Sequence, residues 1–462
     1  MAVLEPSPAY PPLPHPRRRL PLVGDVLAFD FDTPTQSAIA LAAELGPIYE
    51  LKALGVRYIV AAGAEAVIDL NDETRFCKHV GPDIEALRVL GGDGLFTAYN
   101  DEPNWLAAHE LLMPAFSRAA MRRYHDTMLD VAEQFTGQWD RAAGHSTVDV
   151  SADTTRVTLE TIGRCAAGYS FEVFERDGTH PFVEHMVAGL KGADRLGALR
   201  ASYLPNLLAR IVERSVRRHG MAMAAVADDV IAARREQRSA GRITETPDLL
   251  DLMLDSDLDV SNIRYQLINF LVAGHETTSG ALSFALYFLS RHPEVAARCR
   301  AEIDAVWGDA QRPEYEQVTK LRYVRRTLDE ALRLQPTVPG YYRSAREDTV
   351  LAGMLPMRKG DWVLALTPTL HRDPRWGPNP DAFDPDRFEP ERVRACPAGL
   401  YKPFGTGTRS CIGRQFALHE AVLLLGVLLR RYDLIADPAY ELNIAERLTL
   451  MPKDFRLALR RR

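Results

Sequence analysis

The chain has 462 residues, of which 46% are hydrophobic and 26% charged, a balance that suits a well-packed globular protein with a large core. A formal charge of −6 excludes wholesale nucleic-acid binding. The five cysteines (Cys77, Cys165, Cys299, Cys396 and Cys411) form no CxxC pair, which excludes a zinc ribbon and a disulfide framework and fits a reducing compartment.

The first 21 residues hold seven prolines and no apolar run of signal-peptide or anchor length. Residues 1–20 therefore read as a Pro-rich segment lying extended over the surface, with Arg17, Arg18 and Arg19 a solvated charge cluster. The expected location is the cytoplasm, with no membrane anchor. No repeat or low-complexity linker follows, so residues 21–462 read as one domain.

The run at 47–62 predicts a small hairpin around Gly55. Helical periodicity then dominates, as at 121–143 and 219–241. Ser261 to Arg291 predicts a helix of roughly 45 Å, capped by Ser261 and stopped before Pro293. In its middle, Gly274-His275-Glu276-Thr277-Thr278-Ser279-Gly280 interrupts apolar sequence, as a buried helix beside a reaction chamber would. Glu330 and Arg333 share one helix face and can pair. Extended pieces return near 349–367 and 443–459.

Residues 404–413, FGTGTRSCIG, place Cys411 in a glycine-rich loop just before a helical run. Such a loop approaches a flat ligand closely and presents a thiolate near a helix N-terminus, where backbone N–H groups stabilise its charge. An isolated cysteine would read as a small buried hydrophobe. In this chain the loop sets Phe404, Gly405, Gly407, Arg409, Cys411 and Gly413 at fixed intervals.

That spacing resembles the cysteine-loop signature of the cytochrome P-450 superfamily. The chain from about Pro21 is most similar to the haem domain of self-sufficient bacterial fatty-acid hydroxylases. The runs GDGLFT (92–97), FLVAGHETTSGALSFALYFL (270–289) and IGRQFALHEA (412–421) carry the likeness. It implies a mainly α fold with small β-sheets, a long central helix over the haem, and a single haem b held by the Cys411 thiolate. A monomer is expected.

The resemblance also assigns roles. Thr277 and Glu276 would hold water and relay protons for oxygen activation, although a mid-helix Thr can also bond back to its own helix. Lys78, Trp105, His109 and Arg409 would meet the haem propionates, with Ala273, Phe404, Gly405 and Gly413 along the cofactor. His109 stands where many members have Arg. Ile84, Leu87, Phe96, Val272, Val338 and Leu448 would line an apolar pocket shared with Ala273, with Arg57 and Tyr58 near its mouth. Glu330, Arg333 and Arg387 would form a structural network behind the haem, with Asp386 where many relatives have Glu. His275 reads as structural, because the residue at 279 is Ser and no HExxH site forms. His371-Arg372-Asp373 lacks the companion loops of a kinase.

The implied activity is insertion of one oxygen atom of O2 into a C–H bond of a hydrophobic small molecule, with fatty acid the first candidate. The anchoring Arg of the hydroxylases is missing near Gly55, Val338 is bulkier than the usual residue, and 190–220 diverges. These departures keep a tailoring enzyme of specialised metabolism in view. Peroxide-driven chemistry and a non-catalytic haem sensor are weaker alternatives, since neither needs the acid–alcohol pair. No flavin- or nicotinamide-binding motif is present, so electrons from NAD(P)H would arrive through a flavodoxin, a ferredoxin or a flavin reductase, either separate or once fused. Arg118, Arg122, Arg123 and Arg414 offer a basic docking face.

Overall fold

A computed structural model describes residues 12–176, 178–202, 206–241 and 247–462. Most of them are helical, with four small sheets. Among the described residues, no helix is long and apolar enough to cross a membrane.

The hairpin forms as the sequence predicts, from strands Ile48–Ala53 and Val56–Ala61, with Ala53 opposite Val56. Its two-residue turn, Leu54-Gly55, takes positive φ at both positions (52° and 93°), the geometry that matches strand twist. The second strand runs parallel to Trp362–Leu366, which pairs with Gly340–Ala345, and Phe76–Lys78 completes a five-stranded sheet. A three-stranded sheet joins Thr147–Asp149 to Arg456–Arg461 and Tyr432–Ala436. A short C-terminal hairpin, Ile444–Glu446 with Leu450–Pro452, lies against the central helix.

The helix at 121–143 extends to Arg118–Ala142, and that at 219–241 is the end of a longer one, Asn206–Ser239. The latter pairs with Pro181–Ala201, and both pack over Pro82–Gly91. The central helix runs Val260–Arg291. Its cap is Asp259, not Ser261: the Asp259 carboxylate accepts from the backbone N–H groups of Ser261 and Asn262, the stronger acceptor taking the earlier position.

Arg17 and Arg18 are exposed, and only Arg19 departs from the expected solvated cluster. Residues 1–11 lie outside the described residues, but Arg19 is folded inward. Its guanidinium donates to Asp25 at 2.8 Å and Glu50 at 2.7 Å, and Pro14 O accepts from the N–H of Glu50. Two buried carboxylates outweigh solvation for this one arginine. Elsewhere, Glu446 accepts from the backbone N–H groups of Thr35 (2.7 Å) and Gln36 (3.1 Å). It thereby clasps the C-terminal hairpin to the first turn of helix Pro34–Leu45.

Glu330 and Arg333 pair completely inside the protein, at 2.6 and 2.8 Å. Arg333 also donates to the carbonyls of His371, Pro380 and Ala382. Arg387 lies 3.5 Å from Glu330 and donates to the carbonyls of Trp376 and Asn379. Asp386, the departure in this motif, is engaged elsewhere in a two-pronged pair with Arg298. The triad thus ties the helix Arg322–Leu334 to the chain preceding the cysteine loop. Replacing Arg333 with Ala strands a buried carboxylate and is expected to cost about 3–5 kcal/mol of unfolding free energy in denaturant titration. A change within about 0.5 kcal/mol would remove the triad from the supports of the fold.

Candidate functional site

The cysteine loop is built by backbone geometry. Gly405 and Gly407 take positive φ (68° and 70°), and Cys411 N–H donates to Phe404 O at 2.9 Å. Glu73 accepts from the Thr408 N–H, pinning the outer limb. The helix Arg414–Arg431 starts directly after, with Gly413 as its N-cap. Burial pushes the Cys411 thiol up, while the Gly413 N–H and the Arg414 charge pull it back. The thiol is deep within the protein, yet its surface is open because it faces a cavity.

This cavity encloses about 720 Å³, within the range typical of small-molecule sites. Cys411, Phe404, Gly405 and Arg409 contribute one wall; Val272, Ala273 and Thr277 of the central helix contribute another. Ile84, Leu87, Phe96, Val338, Leu448 and Tyr58 also line it. Gly413 stays behind the wall and acts through its N–H on the Cys411 sulfur.

Arg57 is a correction. Val56, Tyr58 and Val60 line the cavity, so the alternation of a strand turns Arg57 to the opposite face. There its guanidinium donates to Glu50. Against burial, which raises it, Arg57 and Arg19 hold the Glu50 carboxyl down to about 2. Nor is the chamber uniformly apolar: Asp83, Asp194, His79 and Tyr342 also line it.

A cationic region adjoins the cysteine loop. The Arg409 guanidinium stacks 4.2 Å from the Trp105 ring, which stacks on His109 at 5.0 Å. Arg409 donates one N–H to Ala98 O, while its Nε and Nη1 are buried without partners. Lys78 donates to Phe96 O. Burial, then the Arg409 charge, pushes the Lys78 ammonium down to about 7, and burial pushes Arg409 down to about 10. Two unneutralised cations with unused donors call for an anion.

Thr277 and Glu276 separate. The Thr277 hydroxyl, at the cavity wall, donates to Ala273 O at 2.8 Å, the helix back-bond available to any mid-helix Thr. Glu276 is 1% exposed and sits behind the wall; its Oε2 accepts from Thr449 at 3.3 Å and its Oε1 lies 3.7 Å from Arg447. Burial pushes the Glu276 carboxyl up, and Arg447 and Thr449 offset this in part. His275 is buried and donates to Leu271 O, and burial brings its ring down to about 4. Among the described residues, no group of three His, Cys, Asp or Glu side chains is placed to hold a metal ion.

Sequence reasoning passed over a row that positions the site. Asn262, Gln266 and Asn269 occupy one face of the central helix, and they grip the loop before Phe96. Asn262 donates to Asp93, Gln266 accepts from the Leu95 N–H, and Asn269 accepts from the Phe96 N–H and donates to Gly91 O. A Cβ at Gly94 would fall 2.2 Å from Asn269, so the approach requires glycine there. The signal was available as polar residues at i, i+4 and i+7 in an otherwise apolar helix. Arg447 and Thr449 carried no comparable signal.

The residues fit a haem. Cys411 supplies a sulfur ligand at the cavity wall, the glycine loop leaves room for a flat ring, and Arg409, Lys78, Trp105 and His109 supply donors for propionates. Comparison with known proteins agrees. The cytochrome P450 family model matches residues 14–459. A bifunctional cytochrome P450/NADPH–P450 reductase of Bacillus cereus is 43% identical over 97% of the chain and 42% of its own length. A second, from Bacillus subtilis, is 43% identical over 98% of the chain and 42% of its own length. A self-sufficient cytochrome P450 monooxygenase of Phanerodontia chrysosporium is 38% identical over 94% of the chain and 41% of its own length. The chain thus spans about two fifths of these relatives. With its cysteine loop, central helix and buried Glu-Arg-Arg triad in one frame, this chain belongs to the cytochrome P450 family.

Proposed function

We propose that the protein is a haem-thiolate monooxygenase acting on a C–H bond of a hydrophobic small molecule. The observation that carries this reading is the juxtaposition of Cys411 and Thr277 on the walls of one cavity. The overall change consumes O2, two electrons and two protons; one oxygen atom enters the C–H bond and the other leaves as water. Bound haem supplies the iron for oxygen activation, with thiolate ligation favouring O–O cleavage.

The chain's own residues do the rest. Cys411 ligates through its thiolate, steadied by the Gly413 N–H. The free N–H groups of Arg409, with Lys78, Trp105 and His109, hold the propionates. Thr277 exchanges its bond to Ala273 for one to water and moves a proton at its Oγ1. Glu276, with its carboxyl raised by burial, holds the replacement proton, and the partly exposed Arg447 links it to solvent. Electrons from NAD(P)H enter through a flavin or iron–sulfur partner. The exposed Arg118, Arg123 and Arg414 suit an acidic docking surface, whereas Arg122 is paired with Glu316.

Fatty acid is the substrate class that the sequence resemblance offers, but Arg57 is committed to Glu50 and the chamber wall includes Asp83 and Asp194. Those observations favour the second reading, a tailoring oxygenation of a specialised metabolite.

Substituting Ser for Cys411 is expected to abolish the thiolate-type absorption band of the ferrous carbon monoxide complex; an unchanged band refutes the haem-thiolate assignment. Thr277→Ala is expected to retain haem but lower the product-forming rate by about a hundredfold while NAD(P)H oxidation continues. Fully coupled turnover in that variant would sink the proton-relay role. Long-chain fatty acids are expected to give no saturable low-to-high-spin shift with the ferric protein, and a clear saturable shift would restore the fatty-acid reading.

A further inference from the structure

One stretch of the cavity wall is unlike the rest. Asp83, near the start of helix Pro82–Gly91, and Asp194, on helix Pro181–Ala201, both open onto the cavity. Neither has an ion-pair partner among the described residues. Asp83 Oδ1 is buried with no hydrogen-bond partner. The Tyr342 hydroxyl faces Asp83. Burial and then the neighbouring Asp83 charge push Asp194 up to about 6, and burial raises Asp83 as well. A protein seldom leaves two carboxylates in such surroundings without a counter-charge.

Aromatic rings stand nearby: Tyr58 and Tyr342 are within electrostatic reach of Asp83, and Tyr342 of Asp194 as well. Tyr58, His79 and Tyr342 line the cavity, and all three pack on Trp362: edge-on at 5.5 Å for the tyrosines, and stacked at 5.3 Å for His79. That common support fixes their orientation. Burial lowers the His79 pKa, favouring a neutral ring. The nearby cations are turned away. Lys78 donates to Phe96 O beside Arg409, and Arg343 donates to Leu70 O at 2.9 Å. Carboxylates combined with aromatic faces and no resident cation form the kind of site that recognises an ammonium group.

We propose that Asp83 and Asp194, with the rings of Tyr58, His79 and Tyr342, form a subsite for a positively charged ammonium group on the substrate. The apolar remainder of the molecule lies along Ile84, Leu87, Phe96 and Val338 toward Cys411. This assignment rests on the monooxygenase reading and names the charged end of its substrate. It also fits a hairpin whose cavity-lining cation, Lys52, is already paired with Glu50 at 3.3 Å, as Arg57 is.

The test compares the ferric holoenzyme's affinity for dodecyltrimethylammonium, dodecanoate and dodecanol by calorimetric titration. The trimethylammonium nitrogen has no lone pair, so it cannot ligate iron and reports only on the subsite. The ammonium is expected to bind about tenfold more tightly than the alcohol, and the carboxylate more weakly than either. In the doubly substituted Asp83→Asn, Asp194→Asn enzyme, the ratio of ammonium to alcohol affinity is expected to fall to near one. The retained carbon monoxide spectrum checks that the variant has folded. Equal affinities, an ammonium preference that survives the double substitution, or no saturable ammonium binding would each overturn the proposal. Because affinity is read calorimetrically, these outcomes are separate from loss of the thiolate spectrum, which would overturn the monooxygenase reading instead.

Discussion

The cavity of about 720 Å³ is shaped by its walls, and the wall before Phe96 is fixed to the central helix by hydrogen-bond anchors. Asn262, Gln266 and Asn269 provide them: besides bonds within the helix to Asn262 and Tyr265, these side chains reach Asp93 and the N–H groups of Leu95 and Phe96, and each would be costly to bury unpaired. The loop is held in place by hydrogen-bond stoichiometry as much as by packing. On the other side, Glu330 and Arg333 do the same for the segment leading to the cysteine loop.

The cavity carries opposite charges in separate parts of its wall. Arg409 and Lys78 stand beside the cysteine loop, and Asp83 and Asp194 stand beside an aromatic cluster. The neighbours Lys78 and His79 go to different parts, as strand-like alternation requires. Each region has unused hydrogen-bonding capacity, in Arg409 Nε and Nη1 and in Asp83 Oδ1. Ligands of the complementary sign would supply the missing partners on each side.

The mainly helical fold, the hairpin at Gly55 and the cysteine loop were legible because local rules govern them: periodicity, turn chemistry and glycine spacing. Cys411, Thr277, Phe96 and Arg409 reach the cavity as the family pattern implies. Arg57 was misplaced because its motif was read as a pair, whereas a strand sends successive residues to opposite faces. Ser261 lost the cap to Asp259, two residues earlier, a boundary error of the usual size. The acidic lining was invisible for a different reason. Asp83 and Asp194 lie on two amphipathic helices, where an isolated Asp looks like a solvent-facing residue until tertiary packing turns it inward.

The clasp between Glu446 and the first turn of helix Pro34–Leu45 joins two parts of the molecule that chemistry would otherwise treat separately. The same short hairpin holds Leu448 at the cavity wall, and Arg447 and Thr449 against Glu276. One short hairpin thus fixes a stretch of cavity lining, the partners of the buried acid and the first turn of an N-terminal helix at once, so the placing of the acid and the shape of the chamber share a single set of anchors.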